Sequence, residues 1–298
     1  MAGSAVVLGW VLSRLDRAAL VAALRSMHAG WYLLALGVFG LGLLGSAIRW
    51  HLMLRLNPRA VVHGAASVRM VFISQFFNTF LGGPAAGDIP KTALYARWFG
   101  VPVSDVLAAS VLDRMVSSLG GLVFAVAALT LGWATGGFAF LANWKWHLPG
   151  AWVFGGLAVL LGVLGGVLWW GLSRPESFVG RALAALRDSV RRLGGSARRS
   201  GHAFGCALIT ALMFNVTQVL CLEAVSGTHV PWANLFWLYH AVTAVSTLPV
   251  TVAGTGVREG ASMVLLSQYG IPAPTAVAAA MLTLSVHLFW AGVAAALL

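Results

Sequence analysis

The stretch FGVPVSDVLAASVL (Phe99–Leu112) returns 170 residues later as YGIPAPTAVAAAML (Tyr269–Leu282). Both copies begin with an aromatic residue and Gly-x-Pro, and both continue with two alanines and a leucine in matching places. In a membrane protein, hydrophobic segments that Gly and Pro interrupt at corresponding places in two halves indicate a substrate site. The repeat therefore favours a carrier over an enzyme or a scaffold. Chance similarity between two apolar helices is the alternative.

The composition around this repeat is that of a membrane protein. Of the 298 residues, 59% are hydrophobic and only 9% are charged, and the mean hydropathy is +0.87. The 19 basic residues outnumber the 8 acidic ones, which gives a net charge of +11. No nucleic-acid-binding motif accompanies this charge, so we interpret it as contact with anionic lipid head groups.

The apolar segments divide into unbroken and broken ones. Crossing roughly 30 Å of hydrocarbon takes about 20 apolar residues. Two segments, Val68–Trp98 and Leu235–Tyr269, are broken midway by glycine clusters, and each predicts a re-entrant hairpin whose irregular backbone protein or a wet cavity must cover. The segments that predict full spans are Ala2–Leu12 (the weakest), Gly30–Leu54, Val106–Trp133, Ala151–Leu172, Ala203–Val225 and Thr275–Leu298.

These segments predict the fold class and the domain organisation. The fold is an all-α integral membrane protein with about six transmembrane helices plus two re-entrant helical hairpins in an inverted-topology repeat. Residues 1–298 form a single membrane domain. Repeat one covers about 30–133, a linker span and a basic cytoplasmic helix cover 150–201, and repeat two covers about 203–298.

Orientation follows from the distribution of Lys and Arg. The segment Arg174–Arg199 carries a net charge of +5 and is predicted to be cytoplasmic. The first hairpin then enters from the cytoplasm, the second enters from outside, and both termini are cytoplasmic. The arginine-bearing segments Ser13–His28 and Phe178–Leu193 predict amphipathic helices on the outer and cytoplasmic surfaces respectively.

Charged residues in the first hairpin are the first candidates for a site. Charges at membrane depth cost about 2.5–3.5 kcal/mol on insertion scales, so they pair, line a cavity or mark function. Asp88 precedes Pro90 and reads as a helix N-cap, with Lys91 one turn further on. A helix N-terminus beside an ammonium group suits a phosphate. The alternative is that Asp88 only caps the helix and Lys91 reaches the membrane surface.

The second hairpin carries a matching cluster, the sequence Gly254-Thr-Gly-Val-Arg-Glu-Gly260. Its glycines permit tight turning and close approach of a ligand to the backbone. Arg258 can bind a phosphate or carboxylate with two parallel hydrogen bonds. A direct tie between Arg258 and Glu259 is not expected, because adjacent residues on a helix face different ways. Each is therefore predicted to have another partner or to face water.

The remaining candidates lie on the predicted spans and at the breaks. Asp113 and Arg114 lie inside one span, where a structural ion pair with another helix is the alternative to a site. The predicted substrate-binding residues are Asp88, Lys91, Asp113, Arg114, Arg258 and Glu259. The supporting residues are Arg49 (with snorkelling to the interface as the alternative), Asn78, Gly83, Gly87, Gly254, Gly256 and Glu223.

Several function classes lack their sequence signature. There is no GxxxxGK[ST] loop, HExxH, CxxC or GxSxG motif, so the sequence predicts no catalytic residue, no metal and no cofactor. The two cysteines lie in one apolar segment and do not indicate a disulfide framework. His240 and His287 read as core histidines, with a proton relay as the alternative.

Two stretches resemble a known family. Phe76–Arg114 and Leu248–Pro272 resemble the flippase-like membrane domain of lysylphosphatidylglycerol synthases, with Asp88 and Lys91 in the place of the family's acidic and basic pair. The soluble aminoacyl-transferase domain is absent, so the chain looks like a stand-alone bacterial member, and lysine transfer to lipid is not implied. The resemblance implies lipid translocation without naming the lipid.

The predicted function is a lipid transporter or flippase. It would move a phosphate-bearing lipid (anionic or aminoacylated) or a lipid-linked intermediate between leaflets of the bacterial inner membrane. Lys91 and Arg258 would take the phosphate, while the carboxylates balance charge or carry a proton. The alternative is a non-transporting membrane subunit or an enzyme of lipid, hopanoid or glycan synthesis. Expected partners are membrane lipids, with a homo-oligomer or lipid-synthesis enzymes possible and nucleic acid excluded.

Overall fold

Ten helices and no strand make up the described part of the chain. A computed structural model describes residues 17–57, 63–80, 86–137, 177–227, 230–246 and 256–297. The helices are α1 (Arg17–Arg25), α2 (Ala29–Leu54), α3 (Gly64–Phe80), α4 (Asp88–Phe99), α5 (Val103–Ala134), α6 (Phe178–Gly194), α7 (Ala197–Val225), α8 (Trp232–Ser246), α9 (Val257–Ser267) and α10 (Ala273–Ala295).

Four of these helices, α2, α5, α7 and α10, are long and apolar enough to cross a membrane. They confirm four of the predicted spans and the all-α membrane class. Helix α7 begins six residues earlier than predicted, because the Ser196 side chain caps its first turn by accepting from the Arg199 N–H at 3.4 Å. The predicted spans Ala2–Leu12 and Ala151–Leu172 lie outside the described residues.

Each broken segment forms two shorter helices instead of one span. The first broken segment becomes α3 and α4, and the second becomes α8 and α9. Both breaks coincide with the glycine clusters, whose residues 81–85 and 247–255 are not described. Each segment therefore contains two described helices, while the hairpin between them and its depth in a bilayer stay predictions.

The repeated Gly-x-Pro sequence forms the same turn twice. Gly100 (φ 64°) and Gly270 (φ 73°) adopt the left-handed conformation just after α4 and α9. In both turns the next N–H donates to a carbonyl five residues back, as in a Schellman motif. These bonds are Val101 to Ala96 at 3.2 Å and Ile271 to Leu266 at 3.3 Å. The prolines that follow then serve as N-caps of α5 and α10.

Replacing Gly100 or Gly270 with alanine should lower the free energy of unfolding by about 1–2 kcal/mol, because a Cβ disfavours the left-handed region. Nothing lies within 4 Å of a Cβ added at either position, so the loss would come from the backbone alone. Chemical denaturation in detergent measures it. Gly37→Ala is the matched control, since Gly37 lies in open space inside α2. Equal stability of all three variants would contradict the assignment of the turn.

Helices α2 and α7 form the most extensive helix pair, at the centre of the fold. Small residues allow their close approach. A Cβ on Gly42 would lie 2.6 Å from the ring of Phe214, and one on Gly45 would lie 2.9 Å from the Thr210 hydroxyl. Close packing at glycine is a common way for apolar helices to associate in a membrane.

The contacts between helices occur in equivalent pairs in the two predicted repeats. Helix α3 packs on α10, and α8 packs on α5. Helices α2 and α5 are in contact, as are α7 and α10, and the short helices α4 and α9 each pack on the helix that follows them. The two predicted repeats thus share this set of helix contacts, while the inverted repeat itself stays a prediction.

The two amphipathic segments are helical and pack onto this framework. In α1, the buried Leu20 contacts Val277 and Ala278 of α10, so this helix does not merely lie on the lipid surface. Helix α6 packs on α5 and α7. Its first turn is capped by Ser177, which accepts from the Gly180 N–H at 2.9 Å. The exposed apolar side chains lie mainly on the outside of the long helices, for example along α5, as expected for a surface in contact with lipid.

Candidate functional site

A cavity of about 400 Å³ lies among α2, α3, α5, α7 and α10, with contributions from α4, α8 and α9. This size falls within the range of about 300–1,000 Å³ found for small-molecule sites. Its wall is a mixture of apolar and polar side chains. The charged groups on the wall are Arg49, Asp88, Lys91, Asp113, Arg114 and Arg258. Five of the six predicted substrate-binding residues are therefore on one wall, together with Arg49.

Asp88 is the centre of the first charge cluster. One carboxylate oxygen lies 2.7 Å from Nζ of Lys91, and the other accepts from Nε of Arg114 at 2.5 Å. Lys91 also lies 4.8 Å from the centre of the Trp50 ring. Lys91 is buried, whereas the Arg114 side chain is 40% exposed. Asp88 thereby links α4 to α5 and holds two cations beside the cavity.

Asp88 is the first residue of α4, and the predicted N-cap role belongs to Gly87. The N–H of Gly87 donates to Oδ1 of Asn78 in α3 at 2.7 Å. A Cβ on Gly87 would clash with the backbone oxygen of Ser74. The close approach of α3 and α4 thus ties the start of α4 to Asn78, while both oxygens of Asp88 bind cations.

Arg49 and Asp113 form the second cluster. Nε and Nη2 of Arg49 donate to the two Asp113 oxygens at 2.7 and 3.3 Å. Arg49 is only 4% exposed, so the alternative that it snorkels to the interface is wrong. The fork geometry of an arginine–carboxylate pair fixes α2 against α5. Nη1 of Arg49 is buried without a hydrogen-bond partner among the described residues.

Arg258 and Glu259 form the third cluster, and they contact each other, contrary to the expectation for adjacent residues. Nη2 of Arg258 donates to Glu259 Oε1 at 3.1 Å, and the Gly256 N–H donates to Oε2 at 2.6 Å. Glu259 bends back over the first turn of α9 to meet this N–H, which brings it within reach of the arginine head. Arg258 lies on the cavity wall, with Glu259 buried behind it.

Across the three clusters together, the cations outnumber the carboxylates. Four cations (Arg49, Lys91, Arg114 and Arg258) accompany three carboxylates (Asp88, Asp113 and Glu259). All three carboxylates are paired, and one positive charge is left without a carboxylate of its own in the described part of the chain. Five of the seven groups belong to the first half of the sequence. Lys91 and Arg114 share Asp88, and the Arg114 side chain is 40% exposed, so this excess charge is partly solvated.

The other predicted supporting residues lie in different places. Glu223 accepts from Trp232 Nε1 at 3.0 Å and is not on the cavity wall, so the structure does not bring it to the site. Gly256 supplies the N–H that Glu259 accepts from, at a φ of 89°. Gly83 and Gly254 lie outside the described residues.

The structure adds cavity residues that the sequence analysis did not identify. They include the hydroxyl groups of Ser46, Ser74, Thr210, Thr243, Ser246 and Thr283. The ring of His287, predicted to be a core histidine, is also on the wall, and its centre lies 4.7 Å from that of the tilted Phe39 ring. A signal was available, because polar residues recur at helical spacing in otherwise apolar helices, as at 74, 75, 78 and 79 in α3. Among the described residues, no group of His, Cys, Asp or Glu side chains could hold a metal ion.

Comparison with known proteins identifies the family. No curated protein matches the sequence. The profile of one family, described as the lysylphosphatidylglycerol synthase TM region, matches residues 1–296. The match extends over both repeats and confirms the resemblance that the two hairpin motifs indicated. The chain therefore belongs to the lysylphosphatidylglycerol synthase TM region family and is a multi-pass membrane protein related to lipid handling.

Proposed function

We propose that the protein is a flippase, which moves a phosphate-bearing lipid or lipid-linked intermediate between the two leaflets. The observation that carries this proposal is the cavity of about 400 Å³, which has an excess of one cation and is surrounded by long apolar helices. Family membership supports a role in lipid handling. The predicted aminoacylated and anionic substrates both fall within this proposal.

The cavity would lower the barrier that keeps a head group in its own leaflet. A charged group at the bilayer centre is unstable because the hydrocarbon offers it neither water nor a counter-ion. Inside the cavity, Lys91 and Arg258 offer the head group charge-assisted hydrogen bonds from two different helices, α4 and α9. The acyl chains would stay outside, along the apolar outer faces of the helices.

Both cations lie at the beginning of a short helix that follows a glycine-rich break. In carriers with inverted repeats, broken helices from the two halves meet at a substrate site near the middle of the bilayer. We propose the same arrangement here, with α3 and α4 entering from the cytoplasm and α8 and α9 entering from outside. The equivalent helix contacts of the two halves support this arrangement.

The proposed location is the bacterial inner membrane, with both termini in the cytoplasm. The basic helix α6 supports this orientation, because positively charged segments stay on the cytoplasmic side. Its exposed arginines include Arg187 and Arg191, and only Asp188 opposes them in the helix.

Reconstitution of the purified protein alone tests the function. The liposomes contain the protein and a lipid labelled on its head group. Label that starts in the inner leaflet should reach the outer leaflet within minutes, whereas in protein-free liposomes it should stay in the inner leaflet. If label moves only after a second protein is added, the chain is a subunit. If mass spectrometry shows a chemically changed lipid, the chain is an enzyme. Either result would overturn the flippase proposal.

A further inference from the structure

A second cleft lies where the end of α2 meets the junction between α6 and α7. It has a volume of about 260 Å³, and its lining residues are Leu52, Met53, Arg55, Leu56, Leu193 and Arg199. None of these six residues is on the wall of the central cavity. Helices α2 and α7 are both long and apolar enough to cross a membrane. Because a helix that crosses a bilayer ends near its surface, the cleft is expected at the depth of the lipid head groups.

Two hydrogen bonds fix the end of α6 beside this cleft. Nη1 of Arg192 in α6 donates to the carbonyl of Leu56, just after the end of α2, at 3.2 Å. The hydroxyl of Ser200 in α7 donates to the carbonyl of Leu193 in α6 at 2.8 Å. The ends of α2 and α6 and the start of α7 are thus tied together, so the cleft between them is a defined part of the fold.

The charged groups in the cleft are both cationic. Arg55 and Arg199 are exposed, and neither guanidinium makes an ion pair within the described part of the chain. A neighbouring cleft of about 300 Å³, which also includes Leu56, contains two arginines and two aspartates and so balances its own charge. The described lining of the cleft at Arg55 has no carboxylate. This cleft therefore suits an anion.

The floor of the cleft is apolar. Met53 and Leu56 are buried in the hydrophobic core, and Leu52 and Leu193 pack against the same core. The volume lies below the range of about 300–1,000 Å³ found for sites that enclose a whole small molecule. A free phosphate ion would leave this apolar surface uncovered. The cleft therefore suits the polar end of an amphipathic molecule whose remaining part lies in the bilayer.

We propose that this cleft is a second lipid site, separate from the central cavity, which binds an anionic glycerophospholipid at the membrane surface. The phosphate lies between Arg55 and Arg199, and the glycerol end of the acyl chains lies over Leu52 and Leu193. Arginine matches the geometry of a phosphate with two parallel hydrogen bonds. Basic pockets between membrane helices hold anionic head groups in this way. The bound lipid joins α2 to α7 and stays in place, so the proposal does not depend on the flippase function.

Native mass spectrometry of the full chain in a neutral detergent tests the site, with dioctanoyl phosphatidylglycerol as the ligand. The double variant Arg55→Gln, Arg199→Gln should bind one lipid fewer than the unmodified protein at the same lipid concentration. Each single variant should weaken binding of that lipid about fivefold, as expected for one basic residue at an anionic surface. Both side chains are exposed, so the variants should fold, and thermal unfolding without lipid checks this.

Arg198→Gln is the matched control, because Arg198 is exposed in the same turn of α7 but does not line the cleft. It should bind the lipid like the unmodified protein. If Arg198→Gln and Arg199→Gln lose the same affinity, general attraction to a basic surface explains the binding and the cleft is not a site. An unchanged number of bound lipids in the double variant would also overturn the proposal.

Two further ligands identify what the cleft recognises. Dioctanoyl phosphatidylcholine has the same chains and no net charge, and equal binding of this lipid at the cleft would overturn the role of the two arginines. Glycerol 3-phosphate has the phosphate and no acyl chains. If it displaces phosphatidylglycerol from the cleft at equal concentration, the ligand is a soluble phosphate ester and the lipid assignment is wrong. All of these measurements report binding alone, so none of their outcomes decides whether the protein transports lipid.

Discussion

Replacing Arg258 with alanine should abolish lipid translocation in liposomes without unfolding the protein. The variant loses the arginine that α9 places on the cavity wall, and with it the excess positive charge. A charge-assisted hydrogen bond is worth about 1.5–3 kcal/mol, and the loss of several at once would stop detectable movement. Glu259 keeps the bond from the Gly256 N–H but loses its buried cation, so the variant should stay folded at a free energy of unfolding about 3–5 kcal/mol lower. Movement of labelled lipid and thermal unfolding are measured on the same preparation.

Lys91→Ala should have the same effect, because it removes the cation that α4 provides next to Asp88. Arg97→Ala is its matched control, since Arg97 lies on the same helix but is exposed to the outside. Arg258→Lys tests the geometry of the second cation, because lysine keeps the charge and loses the planar fork. Normal transport by both alanine variants would refute the assignment of these two residues to the phosphate.

Asp113→Ala should lower the free energy of unfolding by about 3–5 kcal/mol, because it leaves the guanidinium of Arg49 buried without its carboxylate. The double variant Arg49→Met, Asp113→Leu should recover most of this loss, since apolar side chains of similar volume can replace a buried ion pair. Chemical denaturation in detergent measures both.

The exposed pair on α6 provides the control for this measurement. Arg187 Nε and Asp188 lie 3.7 Å apart, and both side chains are more than half exposed. Pairs of this kind contribute about 0–1 kcal/mol, so Asp188→Ala should change stability little. If Asp113→Ala were as stable as Asp188→Ala, the pair with Arg49 would not hold α2 and α5 together.

The parts of the fold that depend on local chemistry were predictable from the sequence. Gly100 and Gly270 each stand two residues before Pro at the end of a helix, and only a few turn types accommodate that order of residues. Because the turn depends on these neighbours alone, the structure shows it in both copies. The four long spans were predictable for the same reason, since length and hydropathy decide them.

The partners of the charged residues were not predictable in this way. Arg49 and Asp113 are 64 positions apart, and they meet only because α2 and α5 cross at that level. Helical spacing alone argued against the contact between Arg258 and Glu259, yet the first turn of α9 produces it, because Glu259 reaches back to the N-cap. Tertiary packing and helix capping decide such contacts, and neither can be read from residue spacing.

The polar residues of the cavity wall were predictable from the sequence only in part. Thr210 and Thr217 in α7 are separated by two helical turns, and Phe214 between them is on the same wall. A polar stripe on an apolar helix indicates a face turned away from lipid. The pattern could therefore have shown which face of α7 is turned inward, although not which other helices close the cavity.

The two halves of the sequence contribute different numbers of cations and carboxylates to the cavity, so neither half can replace the other. A hypothetical symmetric dimer of the first half would gather six cations and four carboxylates around its centre, whereas a dimer of the second half would gather two of each and have no excess charge. Neither homodimer reproduces the single unbalanced cation. A minimal version of this protein, whether one polypeptide or two co-expressed fragments, therefore has to contain one copy of each half.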